Sequence, residues 1–136
     1  MKIRILLVFL GLFLMKNNTM ANEALNIYNF SFTDIDGNKV NLNKFNGKPI
    51  LIVNTASRCG FTPQYSNLQN LFLEYKETDL TIIATTSNSF AQEYNDVDDI
   101  KKICLVNYGV GFVTSSPMDV NGDNVHPIYS WIKDEY

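Results

Sequence analysis

The sequence predicts a single α/β domain, and three features of the chain support this prediction. Residues 49–53 form an apolar run that is typical of a buried strand in a parallel or mixed sheet. Residues 80–85 form a second run of this kind, rich in β-branched side chains. Between the two runs, apolar residues recur at helical spacing, at Tyr65, Leu68, Leu71, Phe72 and Tyr75. Strand, helix and strand in this order predict a βαβ unit.

The first 21 residues have the pattern of a secretory signal peptide. Lys2 and Arg4 precede an apolar run at residues 5–15, which is too short to span a bilayer in a mature protein. Small residues, Thr19 and Ala21, border a cleavage triplet. We therefore divide the chain into a signal peptide (1–21) and one domain (22–136), and we expect an exported protein, periplasmic or secreted. An uncleaved N-terminal anchor is the alternative.

The charge of the chain excludes some partners. The sequence holds 11 Lys and Arg against 14 Asp and Glu, for a net charge of −3. Cleavage of residues 1–21 would remove three of the cations and none of the acids. We therefore expect no binding to nucleic acid or to an anionic membrane surface, and no stable membrane insertion after cleavage of the signal peptide.

Turn signals and periodicity place the remaining elements. Asp36-Gly37 predicts a hairpin between residues 30–35 and 39–42, and residues 42–45 a helical turn. The helix of the βαβ unit is predicted at 63–78, with Thr62 as its N-cap and Pro63 at its first position.

Three further elements follow the βαβ unit. The acids at residues 96–99 favour a helix over 96–107, whose apolar face includes Cys104. A strand at 118–120 and a tight turn at 121–124 are predicted next. His126-Pro127 begins a last helix that ends near Tyr136.

Cys59 lies between the first core strand and the predicted helix. Open α/β sheets place their ligands and their chemistry at the carboxyl ends of strands. A helix N-terminus and the neighbouring Arg58 both favour a thiolate, which is the nucleophilic form. The alternative for Cys59 is a small buried apolar residue at a strand end.

Residues 54–65 read Asn-Thr-Ala-Ser-Arg-Cys-Gly-Phe-Thr-Pro-Gln-Tyr. They closely resemble the active-site signature of the glutathione peroxidase family. The resemblance continues through residues 88–93, 107–110, 119–122 and 126–131, in order and with one short deletion, and it covers residues 25–136. It implies a thioredoxin-like fold: a mixed central sheet with flanking helices and an N-terminal β-hairpin.

The resemblance also implies roles for three residues. Cys59 would be the peroxidatic nucleophile, and Gln92 the active-site glutamine that donates to the sulfur or holds the peroxide. Cys104 matches the segment that carries the resolving cysteine of thioredoxin-dependent members, although a buried structural cysteine is its alternative. The family's His-Pro pair is structural, which gives His126 a structural role.

The sequence departs from the family in two places that bear on the site. The family usually has two glycines before the glutamine, whereas this chain has only Ala91 there. Members also use Trp and Asn from a later Trp-Asn-Phe segment, and this sequence ends before it, at Tyr136. We therefore expect a domain without its last strand and helix.

We predict from the resemblance a thiol peroxidase that reduces hydrogen peroxide or organic hydroperoxides, recycled by a thioredoxin-like protein or glutathione. We expect no cofactor and no metal, because one His and two Cys lack metal-ligand spacing. The alternative is a redox-sensing or structural domain, an inactive fragment with a static Cys59–Cys104 bond. A thiol–disulfide oxidoreductase is a weaker candidate, because the sequence has no Cys-x-x-Cys.

Overall fold

A computed structural model describes residues 25–136 of the chain. The predicted signal peptide therefore lies outside the described residues. The strands are β1 (Ser31–Thr33), β2 (Lys39–Asn41), β3 (Ile50–Thr55), β4 (Thr81–Thr86) and β5 (Val113–Thr114). The α-helices are α1 (Gln64–Glu74), α2 (Val97–Lys101) and α3 (Pro127–Glu135), and a π-helical segment, Lys102–Asn107, continues α2.

The core of the domain is a three-stranded parallel sheet in the order β3-β4-β5. The predicted βαβ unit is confirmed, since β3 pairs with β4 along its whole length, from Ile50 opposite Thr81 to Thr55 opposite Thr86. Antiparallel pairing occurs in the β1-β2 hairpin and in one bridge between Asp34 and Ser115. This bridge joins the hairpin to the central sheet.

Side chains alternate between the two faces of the sheet, as strand geometry requires. On β4, Ile82 and Ala84 belong to an apolar cluster with residues of α1 and α2, while Ile83 belongs to a second cluster with the hairpin and α3. The sheet thus lies between two layers. Its βαβ connection leaves the carboxyl ends of β3 and β4 at one edge, where the loops after both strands meet.

The predicted strand at 118–120 is wrong. This segment has no strand pairing, and the third strand of the sheet is β5, at Val113–Thr114. Met118 still donates its N–H to the Thr86 carbonyl at 3.0 Å, but Pro117 before it has no N–H with which to extend a ladder. The predicted turn after it is present, with Gly122 at φ +91°.

The predicted helix at 96–107 forms, but it changes type along its length. Asp96 caps α2 by accepting the Asp98 N–H at 2.8 Å, and the last six residues form the π-helical segment. The predicted apolar face is correct, because Ile100 and Cys104 are both fully buried. Among the described residues, no helix is long and apolar enough to cross a membrane.

Candidate functional site

Cys59 lies in the tight loop between β3 and α1, and its side chain is half-buried. The Phe61 N–H points at the Cys59 sulfur, with a nitrogen–sulfur distance of 3.4 Å. A backbone N–H aimed at sulfur is a weak donor to a thiol and a better one to a thiolate. The loop therefore presents Cys59 to solvent with one donor in place.

The Thr62 hydroxyl forms hydrogen bonds across the Cys59 loop. Its hydroxyl accepts the Cys59 N–H at 3.1 Å and lies within donating distance of the carbonyls of Ala56, at 2.8 Å, and Cys59, at 2.7 Å. The prediction that Thr62 caps α1 is wrong for this reason. Helix α1 begins at Gln64 and has no side-chain cap.

The electrostatic environment of Cys59 differs from the one expected at a bare helix N-terminus. The N–H groups of Gln64, Tyr65 and Ser66 each bond to a carbonyl three residues earlier, so they are not free to face the sulfur. The Arg58 guanidinium lies over the ring of Tyr94, 5.6 Å from its centroid. The donor that the structure places at the sulfur is the Phe61 N–H.

A small cavity of about 60 Å³ adjoins Cys59. It is lined by the carboxyl end of β3, the Cys59 loop and the first turns of α1, with Thr55, Phe61, Tyr65 and Leu68 among its residues. Tyr65 is 2% exposed, and its hydroxyl has no hydrogen-bond partner among the described residues. Burial raises the pKa of the Tyr65 phenol, so this group is neutral and can donate a hydrogen bond.

Gln92 lies beside the Cys59 loop, but it contacts the loop through its backbone. The Gln92 carbonyl accepts the Arg58 N–H at 2.8 Å. Its side chain is exposed and does not line the cavity at Cys59. The residue before it, Ala91, has a φ of +56°, a conformation that glycine adopts more readily. The proposed contact of the Gln92 amide with the sulfur remains a prediction.

Glu93 is a site residue that the sequence patterns do not reveal. It is 3% exposed, and both of its carboxylate oxygens lie 3.1 Å from the Ser57 nitrogen. The Tyr94 N–H donates to the same carboxylate at 2.8 Å. A glutamate in a polar loop is usually exposed, so the resemblance of residues 88–93 to the family was the signal available, and it drew attention to Gln92 instead.

Cys104 is fully buried in the π-helical segment, in the apolar cluster that also contains Tyr65, Ile100 and Phe112. Burial raises the pKa of the Cys104 thiol, and the Glu93 carboxylate acts in the same direction. Both cysteines are free thiols, and Cys104 does not line the cavity at Cys59. The structure therefore places Cys59 and Cys104 in different environments.

His126 has the structural role expected of it. Its Nδ1 accepts the Ile128 N–H at 3.3 Å and so caps α3, in which Pro127 is the first residue. Within residues 25–136, no group of three or more His, Cys, Asp or Glu side chains could hold a metal ion.

Comparison with known proteins identifies related chains. The family described as glutathione peroxidase matches residues 27–133. A glutathione peroxidase of Lactococcus lactis is 39% identical over 82% of this chain, and a hydroperoxy fatty acid reductase of Synechocystis is 43% identical over 83% of it. A glutathione peroxidase-like peroxiredoxin of Schizosaccharomyces pombe is 41% identical over 79%. The matched part makes up 71%, 68% and 69% of these three relatives, in the order named.

Solved structures agree with this result. The apo structure of Trgpx superimposes with a TM-score of 0.64 at 34% identity, and GPX1 of T. cruzi with 0.61 at 30%. They match 83% and 81% of this chain, which spans 66% of each of them, just under two thirds. A secreted disulfide oxidoreductase of Mycobacterium tuberculosis, 16% identical with a TM-score of 0.54, shares the fold alone. The thioredoxin-like fold is confirmed, and the chain belongs to the glutathione peroxidase family.

Proposed function

We propose that this chain is a thiol peroxidase whose nucleophile is Cys59. The observation that carries the proposal is the presentation of Cys59, half-buried in the loop after β3, beside a cavity and under the Phe61 N–H at 3.4 Å. Family membership supports the reaction class. The alternative, a non-enzymatic redox-sensing or structural domain with a static Cys59–Cys104 bond, has less support, since both thiols are free and Cys104 lies in the core.

The reaction needs only the thiolate and the peroxide. The Cys59 sulfur attacks one oxygen of the hydroperoxide, the O–O bond breaks, and the other oxygen leaves as an alcohol or, from hydrogen peroxide, as water. Sulfur is oxidised by two electrons to sulfenic acid, and the peroxide is reduced by two. A donor that places a proton on the leaving oxygen accelerates this step.

A thiol must then reduce the sulfenic acid. We propose Cys104 as the resolving residue, with the resulting disulfide reduced by a thioredoxin-like protein. Glutathione attacking the sulfenic acid directly is the alternative reductant. The relatives named as a glutathione peroxidase and as a glutathione peroxidase-like peroxiredoxin support a thiol as the reductant.

The substrate range that we propose includes hydrogen peroxide and organic hydroperoxides. Phe61, Tyr65 and Leu68 give the cavity at Cys59 an apolar side, which suits an alkyl hydroperoxide. The Synechocystis relative, by its name, acts on hydroperoxy fatty acids.

We further propose that residues 1–21 direct export and are removed, so that the enzyme works outside the cytoplasm. The basic start, the short apolar run and the small residues at 19 and 21 support this proposal. The N-terminal sequence of the protein recovered after cell fractionation tests it. A chain recovered with Met1 intact would contradict cleavage.

The test of the activity compares wild type with Cys59→Ser and Cys104→Ser. Hydroperoxide consumption is followed with a dithiol donor in excess, and dimedone labelling reports sulfenic acid. Cys59→Ser should reduce consumption to the rate of the donor alone, while Cys104→Ser should still form sulfenic acid at Cys59. Equal rates for wild type and Cys59→Ser would overturn the proposal.

A further inference from the structure

Hydrogen bonds and one cation–π contact connect the Cys59 loop to residues 92–94, which lie in the loop after β4. Ser57 donates its N–H to the Glu93 carboxylate at 3.1 Å from each oxygen, and Arg58 donates its N–H to the Gln92 carbonyl at 2.8 Å. The Arg58 guanidinium covers the ring of Tyr94 at 5.6 Å. Three successive residues of one loop thus hold the two residues that precede the nucleophile.

Glu93 is the unusual member of this set. A carboxylate that is 3% exposed has lost most of its hydration, which is costly without a compensating partner. No Lys, Arg or His of the described chain forms an ion pair with Glu93. Backbone N–H groups of Ser57 and Tyr94 compensate instead, through charge-assisted hydrogen bonds.

The Glu93 contact joins two segments that are distant in sequence. It spans 36 residues of sequence, so it closes the site between the two strand ends and does not stabilise a local turn. Glu93 is itself held in place, because its own N–H donates to Asn88 Oδ1 at 3.1 Å. A rigid acceptor behind Ser57 limits the movement of the backbone that carries Cys59.

We propose that Glu93 is a positioning residue for the peroxidase reaction, which fixes the Cys59 loop by accepting the Ser57 N–H. The inference rests on the proposed function, because it assigns Glu93 to the reaction of Cys59 with peroxide. Glu93 touches neither substrate nor sulfur in this role. Attack on an O–O bond and alkylation by iodoacetamide are both in-line displacements by the thiolate. Peroxide must be oriented at Cys59 by the site, whereas iodoacetamide reacts from solvent without a site of its own, so the alkylation rate reports thiolate content and the peroxide rate also reports positioning.

The experiment measures both second-order rate constants of Cys59 in full-length Glu93→Gln, Glu93→Asp and Glu93→Ala, each in a Cys104→Ser background. Gln keeps an oxygen at the same reach and removes the charge. Asp keeps the charge but is shorter by one methylene. Exposed Glu77 gives the matched control series with the same three substitutions.

If Glu93 positions the loop, Gln should retain the peroxide rate to within about threefold, while Asp and Ala should lose about tenfold or more. Their alkylation rates should change much less. The opposite order, with Asp active and Gln slow, would mean that charge matters and would overturn the inference. So would parallel loss of both rates, or a Glu93→Ala rate equal to wild type.

The same data separate this inference from the proposed function. If wild-type Cys59 reacts with peroxide no faster than a free thiol such as cysteine, the proposed function fails. If wild type is fast and all Glu93 variants match it, only the role of Glu93 fails. Thermal unfolding of each variant identifies any that is not folded, and the Gln-to-Asp comparison then still decides between position and charge.

Discussion

Ala91, the residue before Gln92, has a strained backbone conformation. Among the described residues it is the one non-glycine with a positive φ, at +56°. An L side chain in the left-handed region costs roughly 1–2 kcal/mol, because its Cβ approaches the following carbonyl. The loop keeps this conformation because its neighbours are held, Gln92 by the Arg58 N–H and Glu93 by Ser57.

Ala91→Gly should therefore raise the free energy of unfolding. We expect a gain of about 0.5–1 kcal/mol, since glycine relieves the strain but loses more chain entropy on folding. Chemical denaturation of the two proteins measures the difference. The reverse change, Gly47→Ala, is the control, because Gly47 has φ +80° and a Cβ there would meet nothing within 4 Å. It should lower stability, and a loss on Ala91→Gly would contradict the strain argument.

Among the elements, the π-helical segment Lys102–Asn107 holds Cys104 in the core, and Cys104 does not line the cavity at Cys59. A π turn is rare, and its backbone hydrogen bonds join residues five apart in sequence instead of the usual four. Cys104 is 0% exposed within it, and its thiol makes a single long contact, 4.0 Å to the Lys101 carbonyl. A disulfide requires Cα atoms within roughly 7 Å and contact between the two sulfurs, and Cys104 is buried and does not line the Cys59 cavity, so we expect it to move for a disulfide to form.

We predict that peroxide drives an intramolecular Cys59–Cys104 disulfide and that residues 97–107 open locally for it to form. Helix α2 has five residues and follows a polar loop, and local openings of such short elements lie at the low end of the stability range. Mass spectrometry of a non-reducing digest after one equivalent of peroxide should recover the linked peptides. Hydrogen exchange should be faster at 97–107 than in α1. Recovery of Cys59 as sulfinic acid with Cys104 still a free thiol would give Cys104 a structural role and require an external thiol.

At the scale of the whole molecule, the sheet divides the interior into two apolar clusters. Ile82 is 2% exposed and shares its cluster with Tyr65 and Cys104, whereas Ile83 is 1% exposed and packs with Phe32 and Ile128 on the other face. These neighbours on β4 are equally buried and chemically identical. They can therefore report separately on the two layers.

We predict that Ile82→Ala and Ile83→Ala each lower the free energy of unfolding by about 2–5 kcal/mol, because each leaves a cavity. In a Cys59→Ser background, where Cys104 is the sole thiol, labelling by a thiol reagent should increase more for Ile82→Ala. Rates are compared at denaturant concentrations that give both variants the same stability. Equal labelling at equal stability would mean that Cys104 is exposed only by global unfolding.

The elements that depend on local patterns could be predicted from the amino-acid sequence. Apolar runs and helical spacing predicted β3, α1 and β4, and hence the position of Cys59 at the carboxyl end of a parallel strand. The same reasoning placed Cys104 on the buried face of its helix and Asp36-Gly37 in a hairpin turn. Strand and helix periodicity and turn preferences depend on residues that are close in sequence, so these features can be predicted from short segments.

The polar contacts at the site could not be predicted in this way, because they depend on how distant segments pack together. Glu93 finds its donor 36 residues away at Ser57, and the Thr62 hydroxyl turns to Cys59 although its sequence position predicts a helix cap. Strand β5 was not predicted because two residues are too few to show an alternating pattern. Their pairing with Ile83 and Ala84 depends on how the chain returns to the sheet. Hydrogen-bond partners distant in sequence are set by the docking of elements, because a buried polar group must bond to whatever donor packing brings to it.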